Sequence, residues 1–161
     1  MAGDSGSDNL PFDATAVRLR YNVVPDDVTK VPNYLKAVKL VLHEVGCLTP
    51  REQRAYARGL DMLDFSAEIR RELDAFDPQA SSLEELIPDL KPGGVGARMI
   101  LRDVVEIHGG DGTYGDDEKA QVAKVAAKLG VDAPTLRALE ALVDMEHAVH
   151  RLRSSLLPIQ D

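Results

Sequence analysis

The chain has 161 residues, 44% of them hydrophobic and only 4% aromatic, with no tryptophan. That length fits one domain whose core is packed by Leu, Val and Ala, a composition that favours helices over a β-sandwich. Lys and Arg number 19 against 27 Asp and Glu, a net charge of -8, which argues against nucleic-acid binding and docking on anionic lipid and suits a cation or a basic protein partner.

A single cysteine, Cys47, excludes an internal disulfide and a thiolate-rich zinc site. No apolar run approaches the roughly 18 residues of a membrane helix, so direct membrane insertion is not expected. The N-terminal MAGDSGSDN lacks a signal-peptide pattern, and the expected location is cytoplasmic.

Residues 1–16 are rich in Gly, Ser and Asp and read as a mobile tail. In AVRLRYNVV, Val17, Leu19, Tyr21 and Val23 fall on one side of an extended chain, so an N-terminal arm or short strand is expected. This arm either packs on its own domain or offers an edge to a partner. The expected division is 1–30 for tail and arm and 31–157 for a helical domain.

From Val31 the period changes. Tyr34, Leu35, Val38, Val41, Leu42 and Val45 make a helical stripe, with Pro32 in the first turn and Gly46 at the end. Thr49-Pro50-Arg51-Glu52 reads as a capping box that starts a second helix, with Tyr56, Leu60 and Leu63 inward and Gly59 allowing close helix approach. Ser66 caps a third helix carrying Ile69, Leu73 and Phe76, and Ser82 caps a short one that Pro88 limits. After the loop LKPGGVG, residues 95–108 are apolar around most of the circumference, which places that helix at the centre of the core. A helix over 116–129, closed by Gly130, and a last one over about 134–155, capped by Asp132, complete the reading. Leu142, Met145, Val149, Leu152 and Leu156 step 3-4-3-4 along the last helix, the spacing of a coiled-coil seam, and serve either packing along the domain or a dimer contact.

Two stretches repeat at an offset of 66 residues: Gly46 aligns with Gly112, Leu48 with Tyr114 and Glu52 with Glu118. Each runs helix, Gly turn, apolar residue, cap, then Glu in the new first turn. The chain is therefore expected to hold two related helical hairpins joined by a middle segment.

These residues resemble the tellurite-resistance TerB-like domains. The likeness rests on DG-x-[apolar]-x-x-x-E, here Asp111, Gly112, Tyr114 and Glu118, followed by A-x-x-LG-[apolar], here Ala127, Leu129, Gly130 and Val131. It covers roughly residues 33–145. The first copy keeps Gly46, Leu48 and Glu52, but Val45 stands where an Asp is expected, which argues against two equivalent sites. The resemblance implies a compact all-helical, non-enzymatic module of bacterial stress-response or envelope-associated systems, used for metal sensing or protein interaction.

The acidic loop HGGDGTYGDDEK sits between two helices. It matches the last eight positions of an EF-hand loop, but Ile107 and Gly109 occupy the upstream ligand positions and lack side-chain oxygens, so a standard EF-hand is excluded. Two readings remain. In one, Asp111, Glu118 and Asp116 converge on a divalent cation, Ca²⁺, Mg²⁺ or Mn²⁺, and His108 shifts the preference toward a transition metal. In the other, Asp116 or Gly115 caps the helix, Asp117 and Glu118 complement its dipole, and Gly112 allows the turn.

Enzymatic constellations are thin. Asp144-x-x-His147 is one half of a di-iron pattern whose second half is absent from the sequence. His147 and His150 suit the edge of the apolar stripe. Cys47 near His43 fits an inert thiol better than a nucleophile, and KPGGVGAR lacks the order of a phosphate-binding loop. The expected protein is all-α, with about seven helices, two pseudo-repeated hairpins and an extended N-terminal arm. Its expected role is a non-enzymatic binding module that presents an acidic face, including Asp117 and Glu52, to a basic protein partner. The alternative is a metal-free homodimeric scaffold, and a metal-dependent enzyme ranks third.

Overall fold

The computed structural model describes residues 10–46, 48–109 and 114–157. Eight α-helices cover most of them: α1 Ala14–Tyr21, α2 Val31–Val45, α3 Pro50–Met62, α4 Ala67–Ala75, α5 Leu83–Leu86, α6 Val95–Gly109, α7 Asp116–Lys128 and α8 Ala133–Leu156. Short 3-10 turns at Val28–Lys30 and Pro78–Ala80 complete the regular structure, and there is no strand among the described residues.

Side chains set the helix starts. Thr49 and Glu52 form a reciprocal capping box at α3, and Ser82 and Glu85 form one at α5. Ser66 caps α4 and Asp132 caps α8, each accepting a hydrogen bond from a backbone N–H of the first turn. Shifting the bounds of α3 by the 66-residue repeat offset gives the bounds of α7.

The central helix is α6, which packs on α2, α3, α7 and α8. Ala97, Ile100, Leu101 and Val104 are fully buried on it. Its partners bring Ala37, Val41 and Leu42 from α2, Val122 from α7 and Val143 from α8 into one cluster. The contact of α2 with α7 mirrors that of α6 with α3, as two facing copies of one hairpin require. Fully burying one such aliphatic side chain contributes about 1.5–3 kcal/mol.

The extended N-terminal arm is a correction: residues 14–21 are helix α1. Asp13 caps it through hydrogen bonds from Thr15 N and Ala16 N, and Asn22 closes it in the left-handed region at φ 62°. Helical geometry puts Val17 and Tyr21 on one face, one turn apart, and turns Leu19 outward, 83% exposed. Residues 10–16, expected within the mobile tail, are also held in place. Phe12 is buried in a second cluster with Val17, Leu35, Leu63 and Phe65, and its ring meets Phe65 edge-on at 6.1 Å. Asp13 N donates to Leu63 O and Ser66 N donates to Pro11 O, both at 2.8 Å. Residues 1–9 of that tail lie outside the described residues.

Gly59, expected to allow close helix approach, faces open space; a Cβ there would meet nothing within 4 Å. The close approach occurs elsewhere. Gly93 and Gly130 both hold positive φ, 65° and 71°, and Gly93 N donates to Leu129 O at 2.8 Å. A Cβ on Gly130 would stand 2.6 Å from Pro92 Cβ, so the glycine after α7 serves both its own turn and the seating of the loop before α6.

α6 also carries a buried ionic network. Asp103 accepts hydrogen bonds from Tyr21 OH at 2.7 Å, Arg20 Nη2 at 2.8 Å and Tyr34 OH at 2.9 Å, and pairs with Arg102 at 3.3 Å. Glu106 pairs with Arg20 and Arg102, and Arg102 also reaches Glu146 on α8. Burial pushes the Glu106 carboxyl up, but Arg20 and Arg102 outweigh it and hold its pKa below the usual value. The Tyr34 hydroxyl is held well above its ordinary pKa by burial and by the neighbouring Asp103 carboxylate. The network clamps α1 and α8 to the central helix.

Candidate metal centre

The repeat brings its own signature residues together. Glu52 stands in the first turn of α3 and Glu118 in the first turn of α7. Each side chain turns back to accept the backbone N–H of its own cap residue: Thr49 N to Glu52 Oε2 at 2.6 Å, and Gly115 N to Glu118 Oε2 at 3.2 Å. That fold-back fixes both carboxylates against the helix starts. The packing of the two hairpins then sets them beside His108, near the end of α6. Ligand atoms of Glu52, His108 and Glu118 all lie within 4.8 Å of one another.

Burial in this group is graded. His108 is 3% exposed and Glu52 4%, while Glu118 is half-buried. His108 Nδ1 lies 2.7 Å from Glu52 Oε1. An ionised carboxylate only accepts, so the imidazole donates through Nδ1, and in its neutral form the lone pair is on Nε2. Burial pushes the Glu52 carboxyl up, but hydrogen bonds from Thr49 and His108 outweigh it and hold its pKa below the usual carboxylate value. His108 Nε2 is buried and has no hydrogen-bond partner among the described residues. An orphaned buried polar atom is uncommon in folded proteins, and a bound ion is one of its standard explanations. The donor set of one imidazole nitrogen and carboxylate oxygens suits Mn²⁺ or Zn²⁺ better than Mg²⁺ or Ca²⁺. The carboxylate–imidazole pair is also the arrangement that orients metal-binding histidines.

Of the residues expected at a metal, the structure brings His108 and Glu118 together. Asp116 is exposed at the start of α7 and stands outside that group. Asp111 and Gly112 lie outside the described residues, as does Cys47. Asp117, expected on a partner-facing surface, is exposed beside Asp116. Glu52, expected on the same surface, is buried and turned toward His108 instead, because its cap hydrogen bond and the imidazole both hold it inward. Sequence reasoning therefore missed Glu52 as a member of the site. Its alignment with Glu118 was the available signal: in two facing hairpins, equivalent positions near the pseudo-axis meet.

Tyr114 holds the start of α7 over this centre. Its hydroxyl donates to Glu140 on α8 at 3.0 Å, and Lys119 Nζ lies 5.4 Å from its ring centroid. Tyr114 and its repeat equivalent Leu48 both pack on the main core. His147 Nε2 is 3.9 Å from Glu106, and His150 is exposed. His43 Nε2 approaches Gln79 Nε2 at 3.4 Å.

The described residues form an all-helical domain of two facing pseudo-repeated hairpins, consistent with the TerB-like helical fold. The structure matches that of a tellurite resistance protein from Nostoc punctiforme with a TM-score of 0.74 and 22% sequence identity, over 92% of this chain and 93% of that one. Likeness at that identity establishes a shared fold. No family model matches the sequence, and no curated protein matches it. No helix of the described residues is long and apolar enough to cross a membrane.

Proposed function

We propose that this protein is a non-enzymatic binding module of a bacterial stress-resistance or regulatory system, which binds a divalent cation through His108 and Glu118, with Glu52 orienting the imidazole, and presents an acidic face to a basic protein partner. The observation that carries the reading is the grouping of ligand atoms of Glu52, His108 and Glu118 within 4.8 Å of one another, with Nε2 of His108 buried and unpartnered among the described residues. In this reading His108 offers a nitrogen and Glu118 an oxygen, and Glu52 holds the imidazole through Nδ1. The exposed Asp116 and Asp117 and the net charge of -8 support a basic partner over an acidic one. The shared fold with a tellurite resistance protein supports a stress-resistance setting.

The test is calorimetric titration of the chelator-stripped full chain with Mn²⁺, Zn²⁺, Ca²⁺ and Mg²⁺, repeated on Glu118→Ala. Saturable one-site binding of Mn²⁺ or Zn²⁺, weakened about 100-fold or more in the variant, is expected, by analogy with the cost of losing even outer-shell groups, on the order of 10–100-fold. Binding that is absent, or unchanged in Glu118→Ala, returns the two glutamates to helix capping alone.

A further inference from the structure

The 3-4-3-4 stripe of α8 does not pack along its own domain, one of the two uses its spacing allowed. Leu136 and Val143 point into the core, with Leu139 packed beside them. Leu142, Met145, Val149, Leu152 and Leu156 line a different face, and their exposure runs from 40% at Leu142 to 73% at Leu156. From Val149 onward every described residue of the helix is exposed. One helix thus bears two apolar faces, and only one of them is covered. A contiguous exposed apolar stripe on a chain this polar marks an interaction surface.

The charges beside the stripe select its occupant. In heptad terms Leu142, Val149 and Leu156 hold one seam position, and Met145 and Leu152 hold the other. Ala141, Ala148 and Ser155 flank the seam on one side with small side chains, so a second helix can approach closely there. Asp144 and Arg151 stand just beyond them, both exposed and without an ion-pair partner among the described residues. Residues 147–153 form a basic run on an acidic chain, with His147, His150, Arg151 and Arg153 and no acid. The half of α8 before it carries Glu140, Asp144 and Glu146 against one base, Arg137; Glu140 already accepts from Tyr114 and Glu146 pairs with Arg102, which leaves Asp144 as the acid there without a partner among the described residues. A parallel pair of these helices would set Arg151 and Arg153 against their own copies. An antiparallel pair sets the basic half of each against the acidic half of the other.

We propose that the chain self-associates through α8 as an antiparallel two-fold pair, each copy's apolar stripe covering the other's. The register that alternates the two seam positions sets Leu142 against Leu152 of the second copy and Met145 against its Val149, and each contact occurs twice by symmetry. The same register places Asp144 level with His150 of the second copy and one residue from its Arg151. Sliding one heptad toward the C-terminus would bring Arg151 against His150, two basic groups, and carry Asp144 away from both, so charge favours one register as well as one direction. With about two heptads of seam, the pair forms reversibly and depends on concentration.

Sedimentation velocity of the full chain over a wide concentration range tests the proposal. The expected result is a monomer–dimer equilibrium that Val149→Glu combined with Leu152→Glu shifts to monomer, with the helical circular dichroism and the melting temperature retained because both side chains are exposed. Asp144→Arg alone and Arg151→Asp alone each weaken association several-fold by setting like charges together, and the double swap restores it. A monomer at every concentration overturns the proposal, as does a dimer that survives the glutamate variant. A charge swap that fails to restore binding excludes the antiparallel register. None of these substitutions touches Glu52, His108 or Glu118, so the outcome is independent of metal binding.

Discussion

The two hairpins share a length, an offset and a glutamate, yet they carry different loads. α2 is apolar at Ala37, Leu40 and Leu42, all buried. At the equivalent positions α6 carries Asp103, Glu106 and His108. The reason is topological. α2 meets α4, α5, α6 and α7, whereas α6 lies between the first hairpin and α8 and also receives Arg20 from α1. Its polar groups are tolerated because each has charged or hydrogen-bonding neighbours, apart from Arg102 Nε and His108 Nε2, which have no partner among the described residues. The second hairpin thus carries an ionic clamp and an imidazole where the first has part of an apolar face. A repeated motif makes an asymmetric site when its two copies carry different residues at the pseudo-axis.

Erasing that difference is the strongest way to break the comparison. His108→Leu gives α6 the residue that α2 has at the equivalent Leu42. Titration with Zn²⁺ or Mn²⁺ should show binding reduced by roughly 100-fold or more, since the only nitrogen donor of the group is gone. Metal-free stability should change far less. Glu52 Oε1 loses its donor, which costs about 1–3 kcal/mol, and removal of the orphaned Nε2 offsets part of that. Metal affinity equal to that of the unaltered chain would show that the imidazole is structural.

Asp103→Ala, which copies Ala37 into α6, attacks the clamp. It leaves Arg20 and Arg102 with one carboxylate fewer and strips Tyr21 and Tyr34 of their acceptor. Breaking a buried ionic group from one side costs about 3–5 kcal/mol. Urea unfolding should register that loss in the midpoint with little change in slope. A loss below about 1 kcal/mol would mean that the network contributes position without stability.

Much of the fold was legible because caps are local. Thr49 with Glu52, Ser66, Ser82 and Asp132 announce helix starts without reference to the rest of the chain, and the structure has each of them capping. α1 was misread because four apolar residues at alternate positions satisfy a strand, while only two of them, one turn apart, face inward in the helix. Asp13 before it and Asn22 after it were the overlooked signals, a cap at each end. The α8 stripe was legible as spacing but not as exposure, because period alone does not tell which of two apolar faces the domain covers. The site was half legible. His108 and Glu118 stand in one short stretch, whereas Glu52 comes 56 residues before His108 in the chain, and only the packing of one hairpin on the other joins them.

The smallest effect tests whether the two hairpins are equivalent where they still look alike. At α3 the cap is Thr49, whose hydroxyl accepts from Glu52 N at 3.3 Å; at α7 it is Gly115, which has no side chain to do so. Thr49→Ala should cost about 1 kcal/mol, the usual price of losing a hydroxyl cap. Gly115→Ser should gain only a few tenths of a kcal/mol, because glycine is already a tolerable cap. The backbone of Gly115, at φ -78° and ψ 170°, accepts a serine without strain. Parallel urea titrations of the two variants would measure the difference. Opposite signs of this size would show that the hairpins start their second helices by the same physics and diverge only at the pseudo-axis. A destabilised Gly115→Ser would show instead that the start of α7 needs its glycine for the loop that precedes it, so the asymmetry of the site would begin one turn before Glu118.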